Sequence, residues 1–272
     1  NIFGNLFEQV AKFRAGRRLW ATILKEEYGA KDPKTMWMRM IAGGGGFGLT
    51  IEQPENNIVR GAYYALIAAL SGAQTVALCC YDEAYTIPSE KAQRISLRTM
   101  QILIEEMGLC DTVDPLGGSY YIESLTDEME TKMREAMARV DAEGGIVNAV
   151  AEGRVQDRVS RHAYDRELAL ENGEMRKVGV NCYRIDEEDP DVEFHPTKPE
   201  DLNMQIESLS AIKDERDQRA VNKTLAFLER DARKGVNIMP AIMEAVQVYA
   251  TVGEMTDALT DVYGQFIEPI RF

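Results

Sequence analysis

Two adjacent carboxylates, Asp82 and Glu83, close an almost unbroken apolar run in GAQTVALCCYDEAYTIP, residues 72–88. A carboxylate at the end of a buried strand can cap an amide, pair with an arginine, work as an acid or base, or accept hydrogen bonds from the hydroxyls of a bound ligand. Acid–base work is most often shared with a histidine, and histidines are scarce here. Its two histidines, His162 and His195, are far apart and lack ligand-like spacing. Neither a zinc centre nor a histidine-activated nucleophile is expected, and no metal site is assigned. The four cysteines, Cys79, Cys80, Cys110 and Cys182, form no CxxC pair. They read as small apolar residues in a reducing compartment, the cytoplasm.

Other polar positions carry alternatives. Gln74 opens the same apolar run; its amide both donates and accepts, which suits a ligand amide as well as a strand start. Glycines 43–46 invite a phosphate-loop reading, but neither GxxxxGK[ST] nor a GxGxxG before a helix is present. Glycines here either make a flexible turn or let a large flat ligand approach the backbone. Asn56, Asn57 and Arg60 in QPENNIVRG either cap a helix start or meet a partner, and Tyr120 and Tyr121 read as core or interface aromatics.

The elements that must position these residues follow from periodicity. Apolar residues recur at helical spacing over 5–29, where Gly29 stops the helix, and again over 54–70, which opens on Pro54. TMWMRMIAGGGGFG starts as a strand and breaks into glycines, and residues 74–80 form a second strand, apolar enough to be covered on both faces. Ser89 is the expected N-cap of a helix to about Met107, with Ala92, Ile95, Thr99, Ile102 and Leu103 inward. Strands separated by helical crossovers are parallel, which sets an α/β class. DTVDPLGGSYYIE reads as a loop and short strand, and RKVGVNCYRI as a lone strand. Helices are expected over 125–143, 145–152, 154–172, 202–234, 239–250 and 254–264, with an acidic, proline-rich linker from 186 and a solvated run at 186–191.

Two strong parallel strands cannot close a barrel and leave bare edges. The fold is therefore expected to need further strands, a view that the opening Asn1 in place of methionine supports. A net charge of −14 over 272 residues, without a Lys/Arg cluster in the sequence, argues against nucleic acid and against an anionic membrane surface. No run of about 18 apolar residues suggests a membrane span.

Several long blocks stand in a familiar order: FEQVAKFRAGRRLWATIL, EQPENNIVRGAYYALIAALSGAQT, YDEAYTIPSEKAQRISLRTMQILIEEMG, VDPLGGSYYIESLTDEME and VGVNCY. Together they resemble the large, substrate-binding subunit of adenosylcobalamin-dependent acyl-CoA mutases, the methylmalonyl-CoA mutase family. The resemblance implies the C-terminal part of a (β/α)8 barrel, its last two strands with flanking helices, followed by a mostly helical wrap-around extension. Residues 1–113 would be the last part of the acyl-CoA-binding barrel. Residues 114–185 would be a post-barrel helical segment with short strands, and 186–272 a linker with C-terminal helices. The implied activity is an isomerase reaction, a radical 1,2-rearrangement of the carbon skeleton of a CoA thioester. Adenosylcobalamin would be the cofactor. The partners would be the acyl-CoA, the N-terminal half of the barrel and a small cobalamin-binding subunit, in a hetero-oligomer. The family's Asp-x-His-x-x-Gly cobalt-ligand signature is absent, since Ser160 precedes His162 and Glu193 precedes His195.

By the same resemblance, Glu83 would accept the ribose hydroxyls of the adenosyl group. Gly45, Gly46, Phe47, Thr86 and Cys79 would lie against the cofactor, and Gln74, Ala42, Gly44 and Ala77 against the substrate; no catalytic residue is assigned within the chain. A histidine and a glutamine that methylmalonyl-type enzymes carry on strand seven would be replaced by Ala42 and Gly44. A histidine and an asparagine on strand eight would be replaced by Ala77 and Cys79. The expectation is a bulkier, less polar acyl group than methylmalonyl. The same losses motivate a rival reading, a non-catalytic assembly subunit that keeps the mutase fold.

Overall fold

The computed structural model describes residues 1–185, 192–196 and 198–269. The acidic run 186–191 lies outside them. The chain divides into two compact units, Asn1–His195 and Pro196–Pro269. The class is α/β, mostly helical, with a small parallel sheet.

In the first unit, helix α1 (Leu6–Glu26) starts where the Asn5 side chain accepts the N–H groups of Phe7 and Glu8 at 3.1 and 3.3 Å. Strand β1 (Ile41–Gly44), α2 (Asn56–Leu70), β2 (Thr75–Leu78) and α3 (Glu90–Glu105) follow. β1 and β2 pair in parallel, with Ile41 opposite Thr75 and Gly44 opposite Leu78. The helical crossover dictates that direction. Ser89 caps α3 through the N–H of Ala92 at 3.2 Å, and Ser96 donates to the Leu78 carbonyl at 3.0 Å. Of the residues expected inward on α3, Ala92 is fully buried whereas Ile102 is 45% exposed.

One face of the sheet is covered. Ala42 packs with Ile2, Val10, Ile67 and Ala68 in the core, with Val76 and Tyr64 against it. A Cβ on Gly44 would lie 2.9 Å from Tyr64 Cβ. The other face carries Ile41, 68% exposed, with exposed Thr75 and Ala77. Side chains alternate along a strand, and the register aligns Ala42 with Val76 and Gly44 with Leu78. Ala42 and Gly44, expected to face substrate beside Ala77, therefore sit on the helix-covered face. The open-face positions of β1 are Ile41 and Gly43. A one-residue slip exchanges the two faces of a strand, and a glycine run gives the sequence no alternation to fix it.

Helices α4 (Tyr120–Ala142), α5 (Gly145–Ala151) and α6 (Arg154–Glu171) complete the unit. SYYIE is a helix start, not a strand. Ile122 and Thr126, one turn apart, are buried, and Glu123 accepts the Gly118 N–H at 2.9 Å. Tyr120 is 97% exposed, which removes it from the core. Arg14 and Arg18 of α1 reach Asp114, Glu123, Asp127 and Glu130, so α4 is tied along α1. RKVGVNCYRI is a turn with one bridge, between Val178 and Cys182. Gly179 takes φ +87, and Asn181 uses its amide on Lys177 N at 2.7 Å and on the carbonyls of Leu170 and Met175 at 2.8 and 2.7 Å. A side chain that satisfies the backbone locally displaces a ladder.

The second unit contains α7 (Pro199–Glu215), α8 (Gln218–Arg233), α9 (Met239–Gln247) and α10 (Val252–Tyr263). The single helix expected over 202–234 breaks at Arg216–Asp217. Asp217 accepts the N–H groups of Arg219 and Ala220 at 2.8 and 3.2 Å as the N-cap of α8. Val221, Ala245 and Ala250 form the local core with Leu225, Val248 and Met255 around them.

Candidate functional site

Because β1 and β2 are parallel, the loops that leave their C-terminal ends meet at one rim. After β1 comes the single 3-10 turn Gly46–Gly48; after β2 come Cys79, Cys80 and the turn through Thr86. The Cys79 thiol donates to the Gly44 carbonyl. Glu83 is exposed, and its Oε1 accepts the Cys80 N–H at 2.7 Å. A Cβ built on Gly46 would stand 4.0 Å from Glu83 Oε2. One carboxylate oxygen is thus fixed by the backbone, while the other looks across a turn that carries no side chain. Of the readings of Glu83, the structure shows the capped amide, that of Cys80.

At the rim the thiolate forms of Cys79 and Cys80 are disfavoured. Burial pushes Cys79 up to about 12 and Cys80 up to about 11, and the Glu83 charge adds to both. Cys80 is buried and Cys79 half-buried, as small apolar residues are, whereas Cys110 is exposed and departs from that reading. Phe47 is 59% exposed beside the rim and makes an edge contact with Phe3 at 5.6 Å. Thr86 Oγ1 accepts the His195 N–H at 3.1 Å. Gln74 lies at the opposite end of the sheet. Its Oε1 accepts the Met40 N–H at 3.1 Å and its Nε2 donates to the Gly72 carbonyl at 3.3 Å. It lines a groove of about 520 Å³ with Trp37, Met40, Ile41 and Thr75.

Beneath the rim lies a buried polar brace. Asn57, 1% exposed, accepts from Thr50 N at 3.1 Å and Arg60 Nη1 at 2.8 Å, and donates to the carbonyls of Thr50 and Tyr81 at 2.8 and 2.9 Å. All four hydrogen-bonding positions of the amide are used, and the two rim loops are fastened together. Asn57 does not cap the start of α2, whose N-cap Glu55 makes no side-chain bond; its amide braces the loops instead. Asp82, fully buried, accepts the Ser89 N–H at 2.8 Å and joins the rim to α3. The sequence reading named Asp82 without giving it a role; the spacing Asp82 to Ser89, a carboxylate ahead of an N-cap, was the signal. Among the described residues no group of three or more His, Cys, Asp or Glu side chains is placed to hold a metal ion.

The methylmalonyl-CoA mutase family model matches residues 1–265. The chain belongs to the methylmalonyl-CoA mutase family. It is 39% identical over 266 residues to the 2-hydroxyisobutanoyl-CoA mutase large subunit of Aquincola tertiaricarbonis, covering 97% of this chain and 47% of that protein. To the methylmalonyl-CoA mutase of Escherichia coli (strain K12) it is 38% identical, covering 97% of this chain and 37% of that protein. To the mitochondrial methylmalonyl-CoA mutase of Homo sapiens it is 36% identical, covering 96% and 35%. The chain thus spans less than half the length of these relatives of the mutase family. No described helix is long and apolar enough to cross a membrane.

The rim is compatible with adenosylcobalamin on its own geometry. A Cβ on Gly46 meets nothing nearer than Glu83 Oε2, whereas one on Gly45 would stand 3.6 Å from Asn1, so the room above the backbone is at Gly46. At this rim the exposed Gly46, the exposed ring of Phe47 and the backbone-held carboxylate of Glu83 stand together.

Proposed function

We propose that this chain is part of the substrate-binding subunit of a coenzyme-B12-dependent acyl-CoA mutase, an isomerase active only with partner chains. One observation carries the reading within a family that names the chemistry: Glu83 Oε2 lies beside the bare Gly46 at the C-terminal rim of a parallel strand pair. Glu83 would hold the ribose hydroxyls of the adenosyl group, with Gly45, Gly46, Phe47, Thr86 and Cys79 around the cofactor. The cofactor, when bound, supplies the radical chemistry of a 1,2-rearrangement. This chain's own residues would orient and shield: the open strand face would exclude water once further strands and substrate cover it, and the Cys79 and Cys80 thiols held protonated beside Glu83 would offer no competing nucleophile.

On the open face, Ile41, Gly43 and Ala77 would line the acyl end of the substrate, and Gln74 its amide-bearing arm. None of the first three donates a side-chain hydrogen bond, so an acyl group less polar than methylmalonyl fits best. The two strands would be the last of a (β/α)8 barrel over residues 1–113, followed by the post-barrel segment 114–185 and the linker and helices of 186–272. The remaining strands and a small cobalamin-binding subunit would complete a hetero-oligomer. The four free cysteines suit the cytoplasm.

The test is reconstitution with the neighbouring subunits and adenosylcobalamin, followed by the cob(II)alamin spectrum on addition of acyl-CoA. Turnover that needs this chain, and cofactor affinity that falls about tenfold in Glu83→Gln, is the expected result. The side-chain-poor face at Gly43 and Ala77 favours one second reading, an assembly subunit. Equal turnover without this chain would establish it.

A further inference from the structure

Four cations line one cavity that none of the rim residues Cys79, Glu83 and Thr86 touches. The cavity, about 540 Å³, is lined by Arg60, Arg166, Arg176 and Lys177, with Tyr63 and Tyr64 among its aromatic walls. In a chain of net charge −14 such a cluster needs an explanation, because like charges in a partly buried space repel.

Among the described residues, none of the four pairs with a carboxylate within salt-bridge distance. Their contacts are with neutral groups. Arg60 donates to Thr50 Oγ1 at 2.9 Å, Asn57 Oδ1 at 2.8 Å and the Val178 carbonyl at 2.7 Å. Arg166 lies 3.9 Å over the Phe47 ring, and Arg176 lies 5.7 Å over that of Tyr183. Lys177 Nζ reaches the Leu49 carbonyl at 3.5 Å. Burial holds Lys177 below its ordinary value, and the charges of Arg60 and Arg166 lower it further; Glu52 and Glu167 oppose this through space.

We propose that this cavity binds a small phosphorylated ligand. Guanidinium groups already held by neutral partners lose little freedom on meeting an anion, and their fork matches phosphate oxygens. Four cations match a multiply charged phosphate, whereas a single carboxylate would leave most of them uncompensated. The volume falls within the range of about 300–1,000 Å³ usual for small-molecule sites. Tyr63, 57% exposed on the wall, offers a ring for a flat apolar portion.

The experiment is calorimetric titration of the chain with sodium pyrophosphate and, separately, with adenosine 5′-diphosphate, at low and high salt. Saturable binding that weakens with salt is expected. Arg166→Gln and Lys177→Gln should each weaken it at least about tenfold with circular dichroism unchanged. Arg176→Gln, an exposed position, serves if either variant unfolds. Tighter binding of the diphosphate assigns the aromatic wall to a nucleoside; equal binding assigns the site to the phosphate alone. No saturable heat, affinity unchanged in the variants, or an oligoglutamate peptide binding as tightly as pyrophosphate would overturn the proposal. Arg166 stacks on Phe47 of the rim, so Lys177→Gln and Arg176→Gln, which leave Glu83 and Phe47 with their contacts, are the variants that separate this outcome from that for cobalamin.

Discussion

The Asn57 amide donates to the Tyr81 carbonyl at 2.9 Å, and through this bond the segment after β1 is joined to the segment after β2. Its other bonds, to Thr50 and Arg60, leave no position of the amide idle. Asn57→Ala would strand buried carbonyls of Thr50 and Tyr81 and loosen both loops. Each stranded group costs about 1–3 kcal/mol. Urea unfolding should show a lower midpoint with an unchanged slope. A variant as stable as the parent would mean that water replaces the amide without cost.

The open strand face sets a second expectation. Ile41 is 68% exposed there, while Ala42 is fully buried on the other side. In a reconstituted complex, Ile41→His should raise kcat/KM for methylmalonyl-CoA relative to a branched apolar acyl-CoA by about tenfold, the order expected for one recovered polar contact. Ala42→Ser, in the core, should alter stability and leave the ratio alone. A ratio that follows Ala42 instead of Ile41 would reverse the assignment of faces.

These two residues also show what was legible. The parallel pair, the helices before and between its strands, and Glu83 at the rim were readable, because continuous apolar runs, Ser89 and the glycine stops are local signals. The face assignment was not: Gly43–Gly46 gives no period-two pattern, so only the register with Thr75–Leu78 decides it. Tyr120 and Tyr121 suggest a strand by propensity, yet burial of Ile122 and Thr126 against the rest of the fold makes a helix. The Arg60, Arg166, Arg176 and Lys177 cluster was also invisible, since Arg60 lies far along the sequence from the other three and only the fold brings it to their cavity.

The thiols give a chemical check. Cys79 and Cys80 stay protonated to about 12 and about 11, because burial and the Glu83 charge both disfavour thiolate. Cys110 is exposed. Iodoacetamide at mildly alkaline pH should label Cys110 first, and Cys79 and Cys80 only once the chain is unfolded. Peptide mapping by mass spectrometry reads the order. Early labelling of Cys79 would show that the rim is open in a way that removes its contact with Gly44.

In the second unit, Glu254 closes a capping box with Thr251 and accepts from Arg216 Nη1 at 2.8 Å. Arg216 chiefly, then Thr251, hold the Glu254 carboxyl at about 2, against an ordinary 4.5, while burial opposes the shift. The folded carboxyl therefore resists protonation where the unfolded chain already accepts it. Its contribution to stability is complete above 4.5 and is lost as the pH falls toward about 2. The carboxylate is 25% exposed, so solvent screening trims the effect. Urea unfolding of the chain at about pH 5 and about pH 3 should show a larger loss for the parent than for Glu254→Gln, with the difference shrinking in salt. Equal losses in the two proteins would mean that the Arg216 pair adds nothing to the acid sensitivity of this unit.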